Sequence, residues 1–256
     1  PKSYKSMSSD PSIAKRVHLI RYDSVDSTNR VATDLGYQGA EEWTVVHALE
    51  QTAGRGRHKN EWFSPRGNLF LSAVLKPRVK FEKWSELSFV ISLAVADTVE
   101  DLTHNSSVAL KWPNDVLVNQ KKIAGILLES ALNAKKESFL IAGVGVNITC
   151  GPVDARYGAT WIDELALEKQ SVETVLPTLI KAMTDWYDIW ETSGFEKIRK
   201  RWLERAYGVG KRVMLADKAP QLREGIYTGI SGDGRMILKK NDGTEEIISS
   251  GTLTFL

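Results

Sequence analysis

The sequence predicts an α+β protein: a mixed, largely antiparallel sheet with flanking helices, followed by a small C-terminal β-barrel. Three observations predict it. Between Val108 and Ile148, apolar runs are joined by turns of a few residues, too short for parallel crossovers. From Val172 to Trp190 the apolar period becomes helical, with Val175, Leu179, Met183, Trp186 and Trp190 on one face. From Val209 onward, short runs alternate with glycine or Asp-Gly turns, the spacing of a small barrel.

In chain order, Val17 to Tyr22 reads as a strand, and Asp26-Ser27-Thr28-Asn29 supplies capping side chains for a helix through Val31 and Leu35 that stops at Gly36. Trp43 to Leu49 and Asn68 to Leu75 are strands on either side of a glycine-punctuated loop, and Leu87 to Leu102 is a buried helix. Then come strands at Val108 to Lys111, Val116 to Val118, Ile123 to Ala131 and Phe139 to Ile148. The turns between them are Trp112-Pro113-Asn114-Asp115, Asn119-Gln120-Lys121-Lys122 and the polar stretch at Lys135-Lys136. A second helix covers Phe195 to Ala206. The closing module has strands at Arg212 to Leu215, Arg223 to Ile230, Arg235 to Lys239 and Glu245 to Ile248, with turns at Asp233-Gly234 and Asp242-Gly243. The expected division is a flexible tail over 1–16, a catalytic unit over 17–207 and the β-module over 208–256. Met7 is a candidate natural start.

Composition narrows the function. The 256 residues are 42% hydrophobic and 26% charged, with a formal net charge of +2, which argues against a dedicated nucleic-acid binder. A single cysteine, Cys150, excludes an internal disulfide and a cysteine-rich zinc site, and fits a reducing, cytoplasmic setting. The first residues carry no apolar signal core. The apolar stretch Leu87 to Val99 is interrupted by Ser88, Ser92 and Asp97 and is too short to span a bilayer.

Four segments carry chemistry. Gly54-Arg55-Gly56-Arg57-His58-Lys59 is neither a dinucleotide fingerprint nor a Walker loop. Its glycines allow close approach of backbone N–H groups to an anion, which Arg55, Arg57 and Lys59 can neutralise. Alone, it reads more readily as an exposed basic loop. In Lys111-Trp112-Pro113-Asn114-Asp115, Pro113 forces Trp112 to be extended. Either this corner is only a turn, or Lys111 meets phosphate while Asp115 fixes a cation or orients a nucleophile. In Lys122 to Glu129, Gly125 interrupts an apolar strand, as at a bulge or a close ligand approach. Lys122 is either a solvated turn residue or reaches a pocket from a rigid strand. Gly143 and Gly145, before Asn147, leave room against the sheet for a ligand or for a helix.

Together, in this order and spacing, these segments resemble the biotin–protein ligases. The likeness runs from Asp26-Ser27-Thr28-Asn29 through Gln51, Gly54 to Arg57, Trp62-Phe63-Ser64-Pro65, Lys111 to Asp115, Lys122 to Leu128 and Gly143 to Asn147, and ends at Ser249-Ser250-Gly251. It implies a sheet like that of class II aminoacyl-tRNA synthetases and an SH3-like closing module. It further implies an enzyme that joins biotin to ATP, with Mg²⁺, as biotinyl-5'-AMP. The biotinyl group then passes to a lysine of a biotin carboxyl carrier protein.

By the resemblance, Lys122, Arg57, Lys111 and Asp115 are catalytic, and Arg55 joins the cations that offset the two anions. Asp115 orients either the incoming amine or Mg²⁺; the metal ligands are otherwise unassigned. Ser27, Thr28 and Gln51 recognise biotin's ureido ring and backbone at Arg55 and Arg57 contacts the ligand, with Asn29, Gly54 and Gly56 in the binding set. Gly125, Gly143 and Gly145 form the floor of the slot, Trp62 packs on the adenylate, and Asn114 and Asn147 complete the binding set. His58-Lys59 stands where many members have Arg-Gly, and Lys59 adopts positive φ less easily than the glycine it replaces, which leaves the loop's exact closed shape unassigned. Arg223 or Lys239 is expected to approach the nucleotide, and the sheet edge after Gly143 to Ile148 is a candidate homodimer surface. The rival readings are a lipoate–protein ligase, which lacks support because no Gly-Gly-Gly occurs here, and a biotin-binding repressor. The latter is disfavoured because about sixteen residues precede the first strand, too few for a DNA-binding module. No membrane or DNA partner is expected.

Overall fold

Eight strands form one sheet in the computed structural model, which describes residues 2–3, 15–104, 107–153, 158–216 and 223–256. They are β1 (Lys2–Ser3), β2 (His18–Val25), β3 (Thr44–Gln51), β4 (Leu69–Leu75), β5 (Val108–Lys111), β6 (Asp115–Val118), β7 (Lys121–Leu132) and β8 (Ser138–Val146), in the order β1-β2-β3-β4-β8-β7-β6-β5. Only β2 and β3 run parallel, joined by helix α1 (Thr28–Tyr37) as a crossover; the other neighbours are antiparallel.

The sheet has two unlike faces. One carries Val45, Leu69, Leu71, Ala73, Leu140, Val144 and Ile126 into the main core, against α2 (Leu87–Thr103) and α4 (Val172–Ser193). Helix α2 is apolar nearly all round because it lies between the sheet and α4. On α4, the fully buried Tyr187 meets Trp43 edge-on at 5.2 Å, a contact that the predicted apolar stripe omitted. On the other face, α1 covers only part of the sheet. Ala32 packs there with Val46, Val74, Phe139 and Ile141. The rest of that face is where the slot forms.

Helix α1 departs from its expected caps. Ser27 is the N-cap, but its side chain makes no capping bond, and Thr28 and Asn29 turn onto the sheet instead. The helix also runs past Gly36 to Tyr37. A Cβ at Gly36 would lie 2.2 Å from the Phe139 ring, so this glycine serves close packing rather than termination.

Three short pieces complete the fold: α3 (Ile162–Leu165), α5 (Phe195–Leu203) and a five-stranded antiparallel sheet. That sheet comprises β9 (Arg212–Ala216), β10 (Arg223–Ile230), β11 (Met236–Lys239), β12 (Glu245–Ile248) and β13 (Thr252–Phe255), in the order β12-β11-β10-β9-β13. Among the described residues the edge strands β12 and β13 do not pair, and this small antiparallel sheet is consistent with the expected SH3-like module. Strand β13 was not predicted, because Thr252–Phe255 is short and lies at the end of the sequence. The module rests on the first unit through Trp112, whose Nε1 donates to the Gly234 carbonyl at 3.0 Å.

The flexible tail expected over 1–16 falls mainly on 4–14, outside the described residues. Its ends are not loose. Lys2–Ser3 pairs with β2, and Arg16 bonds Asp188 at 2.8 Å with its guanidinium 5.1 Å from the Trp43 ring. No helix among the described residues is long and apolar enough to cross a membrane.

One buried group gives the fold a pH signature. His47 on β3 is fully buried, and neither ring nitrogen has a partner. Burial, with the nearby Arg21 charge and against the pull of Glu173, lowers its pKa to about 4. The folded state therefore resists protonation, while the unfolded chain takes up a proton near pH 6.5. Stability from this group is intact above pH 6.5 and falls by about 3 kcal/mol as the pH drops towards 4. Denaturant titrations at pH 7 and 4.5 should show His47→Phe losing less stability on acidification than the parent; equal losses would contradict this account.

Candidate active site

The strand register builds the floor of a slot. Phe70, Gly145, Gly125 and Asp115 pair across β4, β8, β7 and β6, and so share one side of the sheet. Val46, Ser72, Gly143 and Leu127 form the neighbouring row on that side. The glycines leave this strip without side chains, and other parts of the chain lie directly on it. A Cβ at Gly143 would be 2.0 Å from Asn29 Oδ1, and one at Gly145 would be 2.3 Å from the Trp62 indole nitrogen. The cavity above measures about 620 Å³. Its lining includes all the predicted site residues except Gly54, which is buried at the start of the loop.

One end is polar and is built mainly from neutral hydrogen-bonding groups, with the Arg55–Glu129 pair beside them. The Thr28 N–H and hydroxyl donate to Gln51 Oε1 at 2.8 and 3.1 Å, and Gln51 Nε2 donates to Ser64 Oγ at 2.9 Å. Ser72 Oγ lies 2.6 Å from Asn29 Oδ1 and 2.8 Å from Thr28 Oγ1, and Asn29 Nδ2 donates to Glu129 Oε2 at 2.6 Å. Ser27, Thr28 and Asn29 are each 4% exposed, so this end is held rigidly by the start of α1.

The other end is cationic. Lys122 Nζ pairs with Asp115 Oδ1 at 2.6 Å and lies 5.1 Å from the Trp62 ring. Arg57 donates to Asn114 Oδ1 at 3.2 Å, while Asn114 Nδ2 donates to the Ile126 carbonyl at 2.7 Å and so fixes its own amide. Burial lowers the Arg57 pKa, opposed by the Asp115 charge, which still leaves an arginine positive. Lys111 is 4% exposed, with its ammonium 5.8 Å from the Phe255 ring of β13.

The basic loop runs between these ends. It is pinched by a backbone β-bridge between Arg55 and Glu61 and by the bond from Gly56 N to the Asn60 carbonyl at 2.7 Å. Gly54 admits Ser64 Oγ, which would be 2.3 Å from an added Cβ. The left-handed residue that the loop needs is His58 (φ 56°), just before Lys59, the position where glycine was expected to matter.

Several expectations change on this geometry. Arg55 does not join the cationic end; it pairs with Glu129 at 3.2 Å, four residues along β7 from Gly125. Asn147 lines the slot, but its amide donates to the Thr160 carbonyl at 3.1 Å and fastens the segment at the rim. Arg223 pairs with Glu246 at 3.0 Å, and neither it nor Lys239 lines the cavity. The module instead contributes Ala216, Gly251, Thr252 and Leu253. The glycine floor carries the Trp62 indole directly, and Ser64 Oγ, which accepts from Gln51, holds the backbone there by donating to the Trp62 carbonyl at 2.7 Å. Glu129, Ser64 and Ser72 were given no role. Glu129 shares the two-residue period of Gly125 and Leu127, a signal that could have placed it on the slot face. Among the described residues, no group of three or more His, Cys, Asp or Glu side chains could hold a metal ion.

Residues 22–147 match the Biotin/lipoate A/B protein ligase family, and residues 208–254 match the Biotin protein ligase C terminal domain. A biotin--[acetyl-CoA-carboxylase] ligase of Paracoccus denitrificans is 34% identical over 230 residues, 87% of this chain and 94% of that protein. The bifunctional ligase/repressor BirA of Bacillus subtilis is 32% identical over 241 residues, 91% of this chain and 73% of that protein. The biotin protein ligase of Aquifex aeolicus in complex with biotin and ATP superposes with a TM-score of 0.79 at 28% identity, covering 93% of this chain and 98% of that one. The Leishmania major ligase in complex with biotinyl-5-AMP superposes with a TM-score of 0.66 at 27% identity, covering 91% and 98%. The first match alone admits lipoate ligases as well; joined to the second and to these relatives, it shows that the chain belongs to the biotin protein ligase family.

Proposed function

We propose that this protein is an ATP-dependent biotin–protein ligase that forms biotinyl-5'-AMP and transfers the biotinyl group to a lysine of a biotin carboxyl carrier protein. The observation that carries this is the polarity of one slot: a neutral hydrogen-bonding end at Thr28, Gln51 and Asn29, and a cationic end at Arg57, Lys111 and Lys122. A ureido ring is neutral and hydrogen-bonds on several sides, so it suits the first end. The carboxylate of the same molecule, together with ATP phosphates, suits the second.

In the first step a biotin carboxylate oxygen attacks the α-phosphorus, and pyrophosphate leaves. Two anions must meet, and fixed cations in a partly buried site reduce that repulsion. Lys122 is the main electrostatic catalyst in this account: it stands on a strand and has Asp115 and Trp62 to hold it in place. Arg57 and Lys111 flank the phosphates. Activation replaces an oxide leaving group with AMP, and in the second step the carrier lysine attacks the acyl carbon. Asp115 is placed to orient that amine or to face the Mg²⁺ that accompanies ATP. A single carboxylate with nucleotide phosphates is an ordinary donor set for that ion, which would spread phosphate charge. Ser27 and the loop backbone at Gly54, Arg55 and Gly56 complete the biotin contacts. Gly125 and Gly145 admit the acyl chain, with Trp62 moving off the strip to pack on the adenylate, and Gly143 makes room for Asn29. Asn114 and Asn147 hold the walls.

The same reading places the catalytic unit at 17–207 and the C-terminal module at 208–256, with the module's Thr252 and Leu253 at the nucleotide. It assigns the enzyme to the cytoplasm, consistent with a single cysteine, and expects no DNA or membrane partner; a homodimer is a candidate assembly only, since β8, which carries Gly143, is an interior strand and not the sheet edge expected there. A carrier domain incubated with the protein, biotin and ATP should gain the mass of one biotinyl group on its lysine. No mass gain, or equal gain with lipoate, would contradict the function.

Two substitutions test the roles. Lys122→Ala should slow biotin-dependent pyrophosphate release by about 10²- to 10³-fold with an unchanged circular dichroism spectrum; a parental rate would remove Lys122 from its role. Arg57→Gly should speed release of the adenylate and raise labelling of lysines on bystander proteins. Equal adenylate dissociation from variant and parent would contradict that.

A further inference from the structure

The two arginines of the basic loop have different partners. Arg57 faces the cationic end through Asn114, whereas Arg55 reaches the opposite end of the slot and bonds Glu129 Oε2 at 3.2 Å. The same carboxylate oxygen accepts from Asn29 Nδ2 at 2.6 Å. Asn29 is 4% exposed, lies on the glycine strip over Gly143, and has its Oδ1 2.6 Å from Ser72 Oγ. Donation to Glu129 at one side and acceptance from Ser72 at the other fix which way the amide points. Arg55 stands at the foot of the loop, where its backbone β-bridge to Glu61 closes the segment that carries Arg57 and leads into Trp62.

We infer that Glu129 is a positioning residue that latches the basic loop over the slot, joining loop closure to the orientation of Asn29. The side chains of Arg55 and Glu129 are half-exposed, and an isolated pair of that kind contributes little because both chains must be ordered. Here the carboxylate is already held by a buried amide, which removes part of that cost. A cation at the foot of the loop then secures every residue between it and Glu61. Arg55 thus supports retention of the adenylate without adding charge at the phosphates.

The inference rests on the ligase reading, and the test separates the two. Release of preformed biotinyl-5'-AMP and the KM for biotin are measured for the parent, Arg55→Gln, Glu129→Gln, the double variant and Glu129→Ala. Glutamine at 129 still offers an oxygen to Asn29 but loses the charge, whereas alanine loses both partners. Arg55→Gln and Glu129→Gln should each release adenylate about threefold to tenfold faster, and Glu129→Gln should do so at near-parental KM. The double variant should be no faster than the faster single one, since both remove the same pair. Glu129→Ala should in addition raise the KM for biotin severalfold. Multiplicative effects in the double variant, or parental release rates in both singles, would overturn the latch alone. A parent that forms no adenylate would overturn the ligase reading and the latch with it.

Discussion

Close approach to the side-chain-free strip at Gly125, Gly143 and Gly145 is the constraint on which the rest of the site depends. Only there can Asn29 and the Trp62 indole lie directly on the sheet, within 2.0 and 2.3 Å of where a Cβ would stand. The strip is possible because β7 and β8 are interior strands whose opposite faces are filled by Ile126, Val144 and Val146, so the strands do not rely on their outer side chains for burial. Helix α1 covers the same face but begins at Thr28, beside the strip. Its first residues therefore form one wall of the slot. The short β5–β6 turn brings Asp115 into register with Gly125 and forms the other.

The charges follow from that layout. A slot open at one end of α1 and closed by the turn at Asn114 has one polar and one ionic terminus, and each cation is tied to a named group. Lys122 leans on Asp115 and Trp62, Arg57 on Asn114, and Arg55 on Glu129. Partners of this kind hold long flexible side chains near the geometry they need, so less ordering remains when anions arrive. The net charge of +2 conceals this division, because the cations of the slot are offset by carboxylates elsewhere.

Much of this was legible in the sequence for physical reasons. Short turns dictated antiparallel pairing over 108–148, and an apolar helical period marked α4. Glycines inside apolar strands marked the floor, and the ordered motifs gave the family. What the sequence hid was pairing over distance. Arg55 looked like a phosphate ligand because its neighbours are cationic and glycine-flanked, but its partner Glu129 is 74 positions away. Thr28 and Asn29 looked like helix caps, since that is what such side chains do at a helix start in the absence of other partners. Gln51 and Glu129, distant in sequence, supply those other partners. Strand spacing gave the small five-stranded module but not whether its edges meet, because spacing reports turns only.

The central claim is that one slot binds biotin at its polar end and activates its carboxylate at the cationic end. The most direct measurement is exchange of labelled pyrophosphate into ATP, which reports reversible adenylate formation without any carrier protein. Exchange that requires biotin and is not supported by lipoate is the predicted result. Exchange that is absent with biotin, or that proceeds equally well with lipoate, would contradict the account.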